Sequence, residues 1–194
     1  MTRASIFLHL NRSDADSREL AWKQFYDQYA PVIAGYARQR GADAQQADEV
    51  VQNVIAGFFE ASPRFVYNPE RGRFRGYLRT CATHALNRLR TRLAHSTIPV
   101  EEIEHAAPDD SDELWDKLWQ QQILRRAIDL AREHYRKKGS LKTFLAFEMN
   151  VLKDVPAAQC AAELEMSVAS IHQAKTRVTQ VLKEFRSTLT DEEG

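Results

Sequence analysis

Apolar residues recur at three- and four-residue steps along most of the chain, which is the spacing of helices with one buried face. The first run lies between Arg18 and Arg40, and Gly41 favours the end of a helix there. Pro31 falls inside this run, so the sequence predicts either one kinked helix or two shorter ones. The predicted core residues of the run are Trp22, Phe25, Tyr26, Tyr29, Val32, Ile33 and Tyr36.

Two further helices are predicted before residue 96. The second follows Asp43, which is a suitable N-cap, and the third runs from about Arg73 to Leu93 after a loop that contains Asn68 and Pro69. The predicted buried residues of the second helix are Val50, Val51, Val54, Ile55, Phe58 and Phe59. Those of the third helix are Phe74, Leu78, Cys81, Ala85, Leu89 and Leu93.

A second group of helices is predicted from residue 114 onward. Its first helix ends near Gly139, shorter runs cover residues 141–151 and 155–164, and Ser167 is a suitable N-cap for the last helix. The final pair has the layout of a helix-turn-helix, and a generic helical hairpin is the alternative. Its small crossing residue is Ala161, and its anchoring stripe is Ile171, Ala174, Val178, Leu182 and Phe185.

These elements predict an all-α protein with two small helical domains joined by an acidic linker. The linker prediction rests on prolines and acids without any Lys or Arg between Ser96 and Asp116. The predicted divisions are an N-terminal tail (1–17), a first helical domain (18–95), the linker (96–113), a helix-turn-helix domain (114–189) and a C-terminal tail (190–194).

Charge is segregated along the chain, although the 194 residues have a formal net charge of +0. The stretch from Pro63 to His95 holds eight arginines and one acid, and aromatic residues are interleaved with the arginines. Arginine neutralises phosphate and aromatic rings stack on unpaired bases, so this stretch suits an opened nucleic-acid strand. A solvated basic helix face is the alternative interpretation.

The second predicted helix has the opposite character on its polar face. No Lys or Arg occurs between Gly41 and Ser62, and this face is acidic and rich in amides. It is either ordinary solvated surface or a docking face for a basic partner. We name it the acid-amide face, and its residues are Asp48, Glu49, Gln52 and Asn53.

Little in the sequence points to metal or redox chemistry. Cys81 and Cys160 are not in a metal-type or redox-type spacing, which indicates a reduced, cytoplasmic protein. Glu102 and His105 resemble half of a di-iron carboxylate motif, but this copy lies alone between two prolines. We therefore expect no metal, no cofactor and no catalytic residues. The N-terminal apolar run is too short for an export signal, and no membrane insertion is expected.

Taken together, the chain from about Arg18 to Leu189 resembles an extracytoplasmic-function (group IV) sigma factor of bacterial RNA polymerase. The resemblance rests on the order and spacing of AWKQFYDQYAPVIAGYA, ADEVVQNVIAGFFEA, FVYNPERGRFRGYLRTCATHALNRLR, an acidic connector and PAAQCAAELEMSVASIHQAKTRVTQVLKEF. It implies a non-enzymatic promoter-specificity subunit whose acid-amide face docks on the clamp coiled coil of the polymerase's largest subunit. It also implies an anti-sigma protein as an inhibitory partner.

The resemblance assigns two sets of promoter-contacting residues. Those implied for the minus-ten element are Arg64, Tyr67, Asn68, Arg71, Arg73, Arg75, Tyr77, Arg79, Thr83, His84, Asn87 and Arg88. Those implied for the minus-thirty-five element are Ser167, Ser170, His172, Gln173, Lys175, Thr176 and Arg177.

Two positions depart from the family's pattern. Many members have Asn where His84 stands, and many have Gly where Glu165 stands, at a turn position that often needs a positive φ. A residue other than glycine at such a position costs ~1 kcal/mol. Two rival hypotheses are a polymerase-independent helix-turn-helix regulator that binds DNA as a dimer, and a helical-bundle enzyme or metal protein.

Overall fold

The computed structural model describes residues 15–64, 74–96 and 110–191, and these ranges contain helices, turns and no strand. The all-α prediction is confirmed for this part of the chain. The α-helices are α1 (Ala15–Gln39), α2 (Ala44–Ala61), α3 (Phe74–Ser96), α4 (Asp110–Lys137), α5 (Leu141–Phe147), α6 (Ala157–Glu163) and α7 (Val168–Asp191). A 3₁₀ turn (Ser62–Arg64) follows α2, and a π-helical turn (Glu148–Leu152) follows α5. The fold divides into unit 1 (Met1–Gln122 with Glu192–Gly194) and unit 2 (Ile123–Asp191).

An aromatic cluster joins the first three helices of unit 1. The Phe25 ring of α1 stacks on Phe58 of α2 at a centroid distance of 4.8 Å, and Phe74 of α3 meets Phe58 edge-on at 5.2 Å. All three rings are buried, as the apolar spacing predicts. α1 continues through Pro31 as one helix.

Local side-chain and backbone bonds define where these helices begin and end. Asp43 is the N-cap of α2, and it forms a capping box in which its carboxylate accepts from the Gln46 N–H while the Gln46 side chain accepts from the Asp43 N–H. Gly41 has a φ of 89°, and the Ala42 N–H donates to the Ala37 carbonyl, as in a Schellman motif. Gly139 ends α4 in the same way, with a φ of 66°.

The first part of α4 belongs to unit 1, which differs from the predicted division at residue 114. Trp115 lies edge-on to Tyr36 at a centroid distance of 5.3 Å, and Trp119 stacks on Tyr29 at 5.5 Å. The Gln122 side chain donates to the Asp27 carbonyl at 3.1 Å. α4 starts at Asp110 and therefore includes part of the predicted linker. The helix extends this far because Trp115 and Trp119, which lie on one of its faces, pack against tyrosines of α1.

Unit 2 is organised around two apolar clusters. One cluster joins the end of α4 to α5 and α7 through Ala131, Phe144, Phe147 and Val178. The other packs α6 against the start of α7, with Ala161 and Ile171 buried in it. The predicted crossing residue Ala161 and the first residue of the predicted stripe, Ile171, are thus both buried.

Several residues predicted on buried faces are exposed. The prediction was wrong for Phe59, whose side chain is 55% exposed although the helical spacing places it near the buried face of α2. Periodicity assigns a face only to within about one residue, so positions at the edge of the stripe are misassigned. Tyr26 and Leu93, which the apolar spacing also predicts as buried, are exposed as well.

Candidate functional site

The acid-amide face is present on α2, and three of its members are exposed. They are Asp48, Gln52 and Asn53. Glu49 is half-buried, and a single terminal nitrogen of Arg92 on α3 lies 2.7 and 2.8 Å from its two carboxylate oxygens. The hydrogen bond from Arg92 lowers the pKa of Glu49, with a smaller contribution from Asn53. A cation from α3 thus reaches a face that carries no base of its own.

One side of α3 is open to solvent. The candidate DNA-contacting residues on this side are Tyr77, His84, Asn87 and Arg88. The Tyr77 ring is only partly exposed, because it packs against Phe74 and Phe58 at centroid distances of 5.8 and 6.3 Å. Burial and a hydrogen bond with Cys81 raise the pKa of Tyr77 to about 12, so its phenol is neutral at physiological pH.

The other side of α3 is engaged within unit 1. Arg79 forms an ion pair with Asp112, and Arg75 lies 3.4 Å from Asp116, both acids being on the first turns of α4. Thr83 lies 2.9 Å from the Tyr36 hydroxyl and donates to the Arg79 carbonyl. These three candidates are therefore not free surface residues in this structure.

A further arginine of α3 has a structural contact that the sequence did not reveal. The Arg90 guanidinium donates to the backbone carbonyl of Arg40, just after the last residue of α1. This bond satisfies a carbonyl that the end of the helix leaves without an intrahelical donor. Four arginines of α3 thus have partners inside unit 1, and Arg88 stays exposed.

The candidate residues for the minus-thirty-five element lie at the start of α7 in unit 2. The Ser167 hydroxyl accepts from the Ser170 N–H at 3.0 Å, so it caps α7 as predicted. The Thr176 hydroxyl donates to the His172 carbonyl. The exposed members of the set are Ser167, His172, Gln173, Lys175, Thr176 and Arg177.

The turn before α7 is a Schellman motif built on a residue other than glycine. Glu165 has a φ of 50°, and the Met166 N–H donates to the Ala161 carbonyl at 2.9 Å. The expectation of a positive φ at this position is confirmed. Since α6 ends and α7 begins within these few residues, the motif sets the direction in which α7 starts.

An open groove of about 740 Å³ lies beside the exposed face of α7. Lys138, in the turn after α4, and Lys175 and Lys183 of α7 line it, and no acid is among its lining residues. Of these three lysines, only Lys175 is among the predicted promoter-contacting residues. The sequence signal for Lys138 is the basic run of residues 136–138 before Gly139.

Residues 25–95 match the family model of sigma-70 region 2. This part of the chain is therefore a sigma-70 region 2 domain. The matched range begins in α1 and ends in α3, so it contains the acid-amide face and the basic helix. The domain supports a role as a sigma factor, a subunit with which RNA polymerase recognises promoters. No curated protein matched the chain.

Part of the candidate surface lies outside the described residues. This is the case for the side chain of Arg64 and for Tyr67, Asn68, Arg71 and Arg73. Glu102 and His105 also lie outside them. Among the described residues, no group of three or more His, Cys, Asp or Glu side chains could hold a metal ion. No described helix is long and apolar enough to cross a membrane.

Proposed function

We propose that this protein is an extracytoplasmic-function sigma factor that binds core RNA polymerase, recognises the minus-ten and minus-thirty-five elements and helps to open promoter DNA. One observation carries the proposal. Within the matched sigma-70 region 2, α2 and α3 expose faces of different chemistry, one acidic and rich in amides and the other basic and aromatic. Such a unit suits a protein that bridges a basic protein surface and a nucleic acid.

In this proposal the acid-amide face docks on the clamp coiled coil of the polymerase's largest subunit. Asp48, Gln52 and Asn53 are free to contact a partner, and Glu49 supplies a second carboxylate once Arg92 releases it. Charge complementarity would orient the complex, while the amides supply donors and acceptors for directional hydrogen bonds.

The open side of α3 would meet the minus-ten element. Tyr77 offers a partly exposed ring for an unstacked base, and Arg88 can neutralise phosphate. His84 and Asn87 lie on the same side and carry hydrogen-bonding groups that suit base edges. The loop residues Arg64, Tyr67, Asn68, Arg71 and Arg73 complete the proposed surface.

The start of α7 would enter the major groove of the minus-thirty-five element. His172, Gln173, Lys175 and Arg177 point away from the buried stripe of α7, as the readers of a recognition helix do. Lys138 and Lys183, on the adjacent groove, are placed to contact the phosphate backbone. Ser167 acts through its cap on α7 and Ser170 through its bond to that cap.

The same function implies a cytoplasmic, non-enzymatic protein without cofactors. An anti-sigma protein that covers the polymerase-binding and DNA-binding faces would keep it inactive.

Reconstitution with purified core RNA polymerase tests the proposal. We expect the holoenzyme to select promoter fragments from a genomic library and to transcribe them, whereas the free chain binds the same duplexes weakly. Gln52→Ala should weaken core binding, and Gln24→Ala, an exposed substitution on α1, should not. Tight binding of the free chain to a palindromic duplex would favour the helix-turn-helix regulator. No binding to core polymerase would refute the proposal.

A further inference from the structure

The basic helix α3 is partly covered by another part of unit 1, namely the first three turns of α4. We name residues Asp112–Gln122 the cover segment. Arg79 and Arg75 form ion pairs with Asp112 and Asp116 of this segment, and the order of the pairs is reversed along the two helices. The two helices therefore run antiparallel along this contact.

The contact takes both guanidinium groups away from solvent. The side chains of Arg75 and Arg79 are only 20% and 29% exposed, whereas those of Asp116 and Asp112 are 55% and 63% exposed. A phosphate that approached either arginine would meet a carboxylate first. Because carboxylates repel phosphate, the cover segment and a DNA strand cannot both use these arginines.

Apolar packing holds the cover segment in place, since exposed ion pairs alone contribute little. Trp115 and Trp119 are buried against Tyr36 and Tyr29 of α1. Leu118 lies against Gly35, where an added Cβ would be 3.1 Å from the Leu118 Cδ2 atom. The segment is thus a helical strip with one apolar face on α1 and two acids directed at α3.

One feature favours release of the segment. The indole N–H of Trp115 is buried and has no hydrogen-bond partner among the described residues. An unsatisfied buried donor opposes the packed state, because the same group would bond to water when exposed. The cover segment is therefore held on α1 less strongly than it would be if both buried tryptophans had all their polar groups hydrogen-bonded.

We propose that the cover segment is an internal competitor for single-stranded promoter DNA: in the free protein it neutralises Arg75 and Arg79, and it must leave α3 before these arginines can bind DNA. This inference rests on the proposed function of α3. It places control of DNA binding within the chain itself, separate from any inhibitory partner. It also explains why Arg75 and Arg79 already have acidic partners before any ligand is present.

The first test uses the full-length chain and a fluorescent pool of random single-stranded 12-mers. The variant Asp112→Asn/Asp116→Asn should bind the pool about three- to tenfold more tightly at low salt, and the gain should shrink at high salt. The matched control, Glu19→Gln/Glu60→Gln, removes two exposed acids of unit 1 that lie on α1 and α2 and not on the cover segment. If both variants gained the same affinity for the pool, the change in net charge alone would account for the effect, and the proposal would be overturned.

A second variant releases the segment without changing any charge. Gly35→Leu places a side chain where Leu118 now packs, so it should push the cover segment off α1. We expect faster amide hydrogen exchange across residues 112–122 and tighter binding of the same pool. Faster exchange without tighter binding would overturn the proposal.

Hydrogen exchange also separates this inference from the proposed function. Saturating single-stranded DNA should speed exchange across residues 112–122 in the wild-type chain. If the holoenzyme transcribes promoter DNA but single-stranded DNA leaves the exchange across residues 112–122 unchanged, the proposed role of the cover segment is refuted and the proposed sigma function stands. If exchange responds to Gly35→Leu but no polymerase-dependent transcription occurs, the proposed function fails instead.

Discussion

A terminal nitrogen of Arg92 on α3 lies 2.7 and 2.8 Å from the two carboxylate oxygens of Glu49 on α2. The pair links the helix proposed to bind DNA to the helix proposed to bind polymerase. It also places a cation on a face whose proposed partner is basic. Arg92 and the partner would therefore compete for the same carboxylate.

Replacing Arg92 by Gln should raise the pKa of Glu49 toward its ordinary value of 4.5. Because the folded pKa is lowered, the pair stabilises the fold above that ordinary value and is lost as the pH falls through the folded pKa. Carboxyl chemical shifts in an NMR titration would measure the change. Arg38→Gln, at an exposed position of α1, should leave the Glu49 pKa unchanged.

The same Arg92→Gln variant should bind core polymerase up to about fivefold more tightly, since Glu49 no longer needs to be released. Fluorescence anisotropy with labelled protein would measure this affinity. Weaker binding would mean that Arg92 positions Glu49 for its partner and does not compete with it.

Replacing Tyr77 by Leu should separate its packing from its proposed stacking on a base. The ring contacts Phe58 and Phe74, so Tyr77→Ala would lower the free energy of unfolding by about 1 to 3 kcal/mol and confuse the two roles. Leu retains apolar volume but offers no ring. We expect a loss of promoter opening in permanganate footprinting, near-normal core binding, and recovery with Tyr77→Phe. Full opening by Tyr77→Leu would exclude a stacking role.

Replacing Glu165 by Gly should stabilise unit 2. The backbone of Glu165 has a φ of 50°, which glycine adopts without the clash that costs other residues, so the free energy of unfolding should rise by about 1 kcal/mol. Gly41→Ala is the matched control, because the same motif there has a φ of 89° and should lose about 1 kcal/mol. Denaturant unfolding measures both. A destabilised Glu165→Gly variant would contradict strain at this turn.

Substitutions on α7 should divide into two classes. Gln173→Ala should relax selectivity at one base pair and cost about 1 to 3 kcal/mol on the preferred promoter. Lys183→Ala, on the basic groove, should weaken binding to all promoters equally. It should also reduce the slope of the logarithm of the binding constant against the logarithm of the salt concentration by about 1. Holoenzyme binding to a selected promoter and to a scrambled upstream element would measure both. A sequence-selective effect of Lys183→Ala would contradict its assignment to phosphate.

Much of the local structure was predictable from the sequence because it depends on neighbours within a few residues. The capping box of Asp43 and Gln46, the glycine at position 41 and the cap of Ser167 each satisfy backbone groups of an adjacent helix end. The positive φ of Glu165 follows from the same short-range geometry. These features, and the helices between them, could be placed without knowing which helices touch.

The candidate site was predictable only as a set of helix faces. Periodicity placed Asp48 and Gln52 on one exposed face and Arg88 on another, and both are exposed. It could not reveal which arginines of α3 have partners, because Arg75, Arg79 and Arg92 bond to residues 33 to 43 positions away in the chain, in either direction.

The sequence by itself determined the helical class, the caps and turns, and the chemistry that each helix can present, because backbone bonding and side-chain spacing act over short distances. Only the tertiary structure decided that Trp115 and Trp119 pack in unit 1 and that Asp112 and Asp116 face the basic helix. The physical reason is that the spacing of apolar residues in an amphipathic helix shows which face is buried, but does not show which other helix packs against that face.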